Sequence, residues 1–204
     1  MTLRDCFVLF GRLVPCALVL GACYPPSHVV KVRQMVKDGE YERALYQTKR
    51  SLKKDPDNRE LWKLLLHIHF AQDQRKEAVA AYQQKVAGGR PDSKVARHLG
   101  LLALRWGMEH RDQAVRLDAV QGARRTDASP LAADMGERLI DDDPQVRTWA
   151  AVALSRSRHG ADVLEEQLTS TSHAARAIAV EQVGRIAGCK AVAALLPHVK
   201  DGHQ

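Results

Sequence analysis

The chain has 204 residues, a formal net charge of +7, 45% hydrophobic residues and only 5% aromatic ones. That apolar share can bury a real core, and the length suits one domain or two small ones. The composition excludes a disordered tail, a collagen, a coiled-coil rod and a disulfide-rich mini-protein, and beyond the N-terminal stretch there is no apolar run of spanning length.

Met1-Thr2-Leu3-Arg4 is a charged start, and Arg12 precedes an apolar stretch at 13–20. That stretch is too short to cross a bilayer, which takes roughly 20 apolar residues. It ends in Leu20-Gly21-Ala22-Cys23, followed by the turn-rich Tyr24-Pro25-Pro26-Ser27. This pattern resembles the lipobox of bacterial lipoproteins: a branched residue, two small residues that let a peptidase approach the backbone, then the Cys whose thiol is acylated. The resemblance implies a signal peptide over 1–22, a lipid on Cys23 and a tether over 23–26. Because Tyr24, and not Asp, follows the Cys, it also implies an outer-membrane location facing the periplasm. Of the four cysteines, Cys6 and Cys16 would leave with the signal peptide and Cys23 would carry the lipid. Cys189 would remain alone, so no intramolecular disulfide is expected, and it reads as a small buried hydrophobe.

The rest of the chain lacks the period-two alternation of strands and reads as helical. Asp38-Gly39-Glu40-Tyr41-Glu42-Arg43-Ala44 returns as Asp73-Gln74-Arg75-Lys76-Glu77-Ala78, in a register that carries Ala44 onto Ala78. Pro56 stands where a helix must end, Trp62 and Leu65 precede Ala78, and the same offset carries Leu65-Leu66 onto Leu99-Gly100. Over 27–92 this resembles the tetratricopeptide repeat, with small Ala positions where paired helices approach closely.

A second array follows over 93–204. Asp112-Gln113-Ala114-Val115-Arg116 recurs as Asp143-Pro144-Gln145-Val146-Arg147 after 31 residues, and as Ser172-His173-Ala174-Ala175-Arg176 after 29 more. Ala119, Ala150 and Ala179 keep the register, as do Ala123, Leu154 and Val183. Asp or Ser caps each second helix, with Pro144 at its permitted first position. This is similar to the HEAT repeat in its short bacterial form, with first helices expected at 131–140 and 161–168 and an incomplete last unit at 191–196. The expected fold is an all-α solenoid of antiparallel helix pairs, tetratricopeptide-like and then HEAT-like. The helix at 93–108 serves as the splice, in one continuous superhelix.

Charge is uneven. Between Lys31 and Arg111 there are 18 basic and 10 acidic residues, net +8; from Asp112 onward there are 11 basic and 13 acidic, net −2. Basic surface suits acidic peptides or anionic lipid. Nucleic acid is disfavoured, because the chain is expected to be exported and has no basic stripe interleaved with stacking aromatics.

Catalytic patterns are sparse. His67-Ile68-His69 has a spacing that sends two rings to different helix faces, not onto one metal. Asp141-Asp142-Asp143 reads as helix capping before Pro144. No phosphate loop, nucleophile elbow or cofactor motif is present. Arg116, Arg147 and Arg176 would align once per repeat and bond neighbouring acidic side chains.

The expected function is therefore a non-enzymatic, membrane-anchored adaptor for a protein or acidic peptide in the cell envelope, with no metal and no cofactor. The alternative is an enzyme or accessory subunit with a site on the HEAT-like array. In the tetratricopeptide family the first helices line a concave groove. Transferring that register puts Lys63, His67 and Phe70 on the groove face of one repeat, Arg33 in the repeat before and Arg97 in the repeat after. The family's carboxylate clamp is not reproduced, since Val29 and Arg33 stand where Lys and Asn would be. What remains is a general preference for acidic ligands.

Overall fold

The structure is a computed structural model that describes residues 27–89, 91–126 and 129–188. The lipobox with Cys23, residue Cys189 and the expected last unit at 191–196 lie outside these residues. Among the described residues the fold is all-α: α1 (Ser27–Lys37), α2 (Tyr41–Lys54), α3 (Arg59–Ala71), α4 (Arg75–Ala87), α5 (Ser93–Met108), α6 (Gln113–Arg125), α7 (Ala132–Glu137), α8 (Pro144–Ala153), α9 (Arg158–Glu166) and α10 (His173–Ala187). Within each of the two compact units described next, helices pack on others close in the chain, as in an α-solenoid. None of them is long and apolar enough to cross a membrane.

The chain divides into two compact units, Met1–Ile68 and His69–Gln204. The cut falls inside α3. It follows compactness, whereas the boundary expected at 92 rests on sequence recurrence.

In the first unit α1 packs on α2. Val29 and Val32 are buried on α1, and Val32 joins Ala44 of α2 and Ile68 of α3 in a core flanked by Met35, Val36, Leu45 and Leu64. The buried line of α2 is Ala44, Thr48, Ser51 and Leu52, small residues at helical spacing that admit close approach. The Thr48 hydroxyl is buried at no polar cost because it donates to the Ala44 carbonyl at 2.6 Å. Gly39, at φ +75°, closes α1: its N–H donates to the Val36 carbonyl and that of Glu40 to the Met35 carbonyl. These two bonds form a Schellman end, which needs a left-handed residue. Asp73, the counterpart of Gly39 in the Ala44-to-Ala78 register, makes the same end on α3 at φ +59°, with bonds from Asp73 to Phe70 and from Gln74 to His69. The recurrence is thus one turn built twice, and Ala44 and Ala78 after it are both fully buried.

In the second unit α4 packs on α5, α5 on α6, α6 on α8, and α8 on both α9 and α10. The core runs through Met108, Ala119, Val120, Ala123, Leu139, Val146, Ala150, Leu164 and Ala179. The three register alanines are buried, and Leu154 and Val183 pack against the same core, half-buried. The expected helix at 131–140 is broken. Ser129–Leu131 and Arg138–Ile140 tighten to 3₁₀ turns on either side of α7, and Gln167–Thr169 does the same after α9. Leu131, Met135 and Leu139 nevertheless stay buried four residues apart, so the apolar line survives the change of pitch. Gly160 is needed where α9 opens: a Cβ there would collide with the Leu154 backbone.

Candidate functional site

Three loops in the second unit share one construction. Asp112, Asp143 and Ser172 each cap the following helix through their side-chain oxygen. Two residues earlier stand His110, Asp141 and Ser170. Each accepts the cap residue's own N–H, through His110 Nδ1 at 3.0 Å, Asp141 Oδ1 at 3.0 Å and Ser170 Oγ at 3.3 Å. Four residues after each cap stand Arg116, Arg147 and Arg176, whose guanidinium groups reach back to the carbonyls of His110, Asp141 and Ser170. The arginine ladder is therefore bonded to its own loops, one arginine per loop. Among the described residues Arg116 also meets acidic side chains and Arg147 does not, which corrects the expectation for Arg147: Ser170 stands where it would need a carboxylate.

Arg116 and Asp141 are both buried. Arg116 Nε donates to Asp141 Oδ2 and Nη2 to Asp141 Oδ1, both at 2.9 Å; Nη2 also reaches Asp142 Oδ1 at 2.6 Å. Nη1 donates to the His110 and Arg111 carbonyls, each at 3.1 Å. All five guanidinium donors are thus satisfied, as burial of the charge demands. Arg138 adds a second cation, with Nη1 at 3.4 Å from Asp141 Oδ2 and 3.1 Å from the Met108 carbonyl. Burial by itself would lift the Asp141 carboxyl, but the hydrogen bonds from Arg116 and the Asp143 amide outweigh it and hold the pKa below the ordinary carboxylate value. The bond to Asp141 correspondingly raises Arg116. Of the Asp141–Asp142–Asp143 run, expected to cap α8, Asp143 alone does so. Asp141 is an ion-pair centre and Asp142 is exposed at its edge.

An open cleft of about 580 Å³ lies over this network, lined by Glu109, Arg111, Glu137, Ile140 and Asp142 among others. Its most buried charges are spent on one another. A carboxylate gripped by two arginines has no proton to give at neutral pH and little tendency to take one. Arg138 Nε is buried here with no hydrogen-bond partner among the described residues, and Ile140 projects 82% exposed. The ring of His110, which lines the cleft, meets Trp106 edge-on, and Arg75 lies 4.2 Å over that same Trp106 ring. A smaller apolar hollow of about 210 Å³ is lined by Leu164, Leu168, Val183 and Ile186.

The residues proposed from sequence for partner binding are placed as follows. Arg33 on α1 and Lys63 on α3 come together on one carboxylate, Glu60, at 3.4 and 2.9 Å. Sequence reasoning missed Glu60, although its position three residues before Lys63 is a helical pairing distance. His67 is half-buried one turn after Lys63. Phe70 is half-buried on α3 and Arg97 is exposed on α5, both within the second unit. His69 is buried, with Nδ1 2.8 Å from Gln74 Oε1, and no group of three metal-ligating side chains occurs among the described residues.

In the first unit a hollow of about 270 Å³ is lined by His28, Gln47, Arg50, Ser51, Lys54 and Asp55. Comparison with known proteins finds no matching family model, no matching curated protein and no matching solved structure.

Proposed function

We propose that the chain is a non-enzymatic scaffold of the bacterial cell envelope. Cys23 anchors it by lipid, most simply to the outer membrane facing the periplasm. It is built of tetratricopeptide-like repeats followed by HEAT-like ones. The observation that carries the reading is recurrence: one helix end built at Gly39 and again at Asp73, and one arginine-braced loop built at Arg116, Arg147 and Arg176. Repeats that bury their faces only against neighbours offer successive surfaces to a peptide or protein, not one convergent pocket. The partner favoured by the net +8 half is acidic, met by Arg33, Lys63, His67, Phe70 and Arg97.

A pull-down from detergent-solubilised envelope tests this. A Lys63→Glu/Arg97→Glu chain should lose the partner that the unaltered chain recovers, while keeping its helix signal. Unchanged recovery would move the site to the HEAT-like half or remove it. Lipid labelling tests the anchor, since Cys23→Ala should abolish both processing and acylation. A second reading, an enzyme or accessory subunit, draws on the cleft beside Arg116 and Asp141, and a partner lost on Arg111→Glu but not on Lys63→Glu/Arg97→Glu would favour it.

A further inference from the structure

The outer face of α2 is continuous in charge. Its exposed residues Arg43, Tyr46, Lys49, Arg50, Lys53 and Lys54 recur at spacings of three and four, on the face opposite the buried Ala44, Thr48, Ser51 and Leu52. After Glu42 the helix holds no acidic residue. Arg43 is paired with Glu40, but Lys49, Arg50, Lys53 and Lys54 form no ion pair among the described residues. Tyr46 sits in the middle of this stripe at 68% exposure. The hollow of about 270 Å³ opens at the same end of the hairpin, lined by Arg50, Lys54 and His28 from the start of α1 and by one carboxylate, Asp55, which already accepts a hydrogen bond from Asn58 at 2.8 Å.

We propose that this face docks on anionic phospholipid, with the hollow taking a phosphodiester head group between His28, Arg50 and Lys54. Three observations favour a membrane over other polyanions. The basic end is the one from which the chain leads back to Cys23, and four peptide steps reach no more than roughly 14 Å. A lone central Tyr suits the bilayer interface but is too little for a base-stacking platform. The stripe is broad, and among the described residues its cations from Lys49 to Lys54 form no ion pair, as attraction to a diffuse charged surface requires. The proposal takes its distance to the bilayer from the lipid-anchored reading above.

The test uses the full-length chain with a photoreactive phenylalanine analogue in place of Tyr46. It is mixed with vesicles of phosphatidylcholine alone or with roughly one-third phosphatidylglycerol to supply an anionic surface. Position 46 should form lipid adducts only on the anionic vesicles, and only at low salt, where exposed charges are unscreened. Lys49→Glu, Arg50→Glu and Lys53→Glu together should abolish the adducts; each basic charge removed should weaken vesicle binding about fivefold, about 1 kcal/mol. Displacement by inorganic phosphate would make the hollow a free-phosphate site, and preference for a polyglutamate peptide would make the face a protein surface. Either result overturns the proposal, as does absence of adducts on anionic vesicles. The anchor is judged separately, by vesicle association of the chain purified from cells at high salt. If Cys23→Ala leaves that association intact, the lipid reading fails while the position-46 adducts still decide the face.

Discussion

The junctions of α8 with α6 and with α10 follow one plan and differ at one side chain. Both loops carry a cap, an acceptor two residues before it and an arginine four residues after it. Before α8 the acceptor is Asp141, and before α10 it is Ser170. Either side chain satisfies the cap amide, so the local turn is the same. Only the carboxylate has charge left over to hold the arginine of the preceding loop, and Arg116 takes it at 2.9 Å. Arg147, the equivalent arginine at the next junction, is left with backbone carbonyls alone. One substitution within a repeat thus converts a local brace into a clasp between repeats.

The largest expected effect comes from breaking the clasp. Asp141→Ala takes from a buried guanidinium its buried counter-charge and should cost about 3–5 kcal/mol in urea denaturation, whereas Arg116→Met/Asp141→Leu should recover most of it, because the pair also carries a desolvation cost. The sign of the pH effect follows from the lowered folded-state pKa. The stability contributed by Asp141 is fully present above the unfolded value of 3.8 and is lost as pH falls through the lower folded one. Denaturation midpoints of the unaltered chain and Asp141→Asn should therefore differ near neutrality and converge in acid. A constant gap down to the most acidic pH would show that the ionised pair is not its source.

Next in size is the tight approach where α8 turns into α9. Gly160→Ala drives a Cβ into the Leu154 backbone and should cost about 1–3 kcal/mol, read as a lowered thermal midpoint. Gly122→Ala, which meets only the flexible end of Leu104, should be far milder.

Removing the caps should affect both junctions alike, since the cap is not where they differ. Asp143→Ala and Ser172→Ala should each cost about 1 kcal/mol. The first should be somewhat the larger, because Asp143 accepts two amides at 2.9 Å and Ser172 one at 3.3 Å. A gap of several kcal/mol between the two would mean that Asp143 also serves the clasp.

The smallest effect is the most pointed. Ser170→Asp keeps an acceptor for the Ser172 amide and offers Arg147 the carboxylate it lacks. A gain below about 1 kcal/mol is expected, and a double-mutant cycle with Arg147→Gln should assign it to that pair. A coupling of zero would mean that the second junction is held too far apart for the clasp.

Much of this was legible in the chain. Periodicity and the absence of strand patterning determined that the protein is helical, because a helical apolar repeat has few other ways to bury itself. The caps Asp112, Asp143 and Ser172 and the buried register of Ala119, Ala150 and Ala179 were readable for the same reason: both depend on residues within one turn or on a strict repeat. What tertiary structure alone decided depends on partners distant in sequence. Glu60 reaches Arg33 from 27 residues away, and Asp141 receives Arg116 from 25. A run of three aspartates does not announce which one turns inward. That choice is made by the packing of α6 against α8, which removes one carboxylate from water and leaves its neighbour exposed.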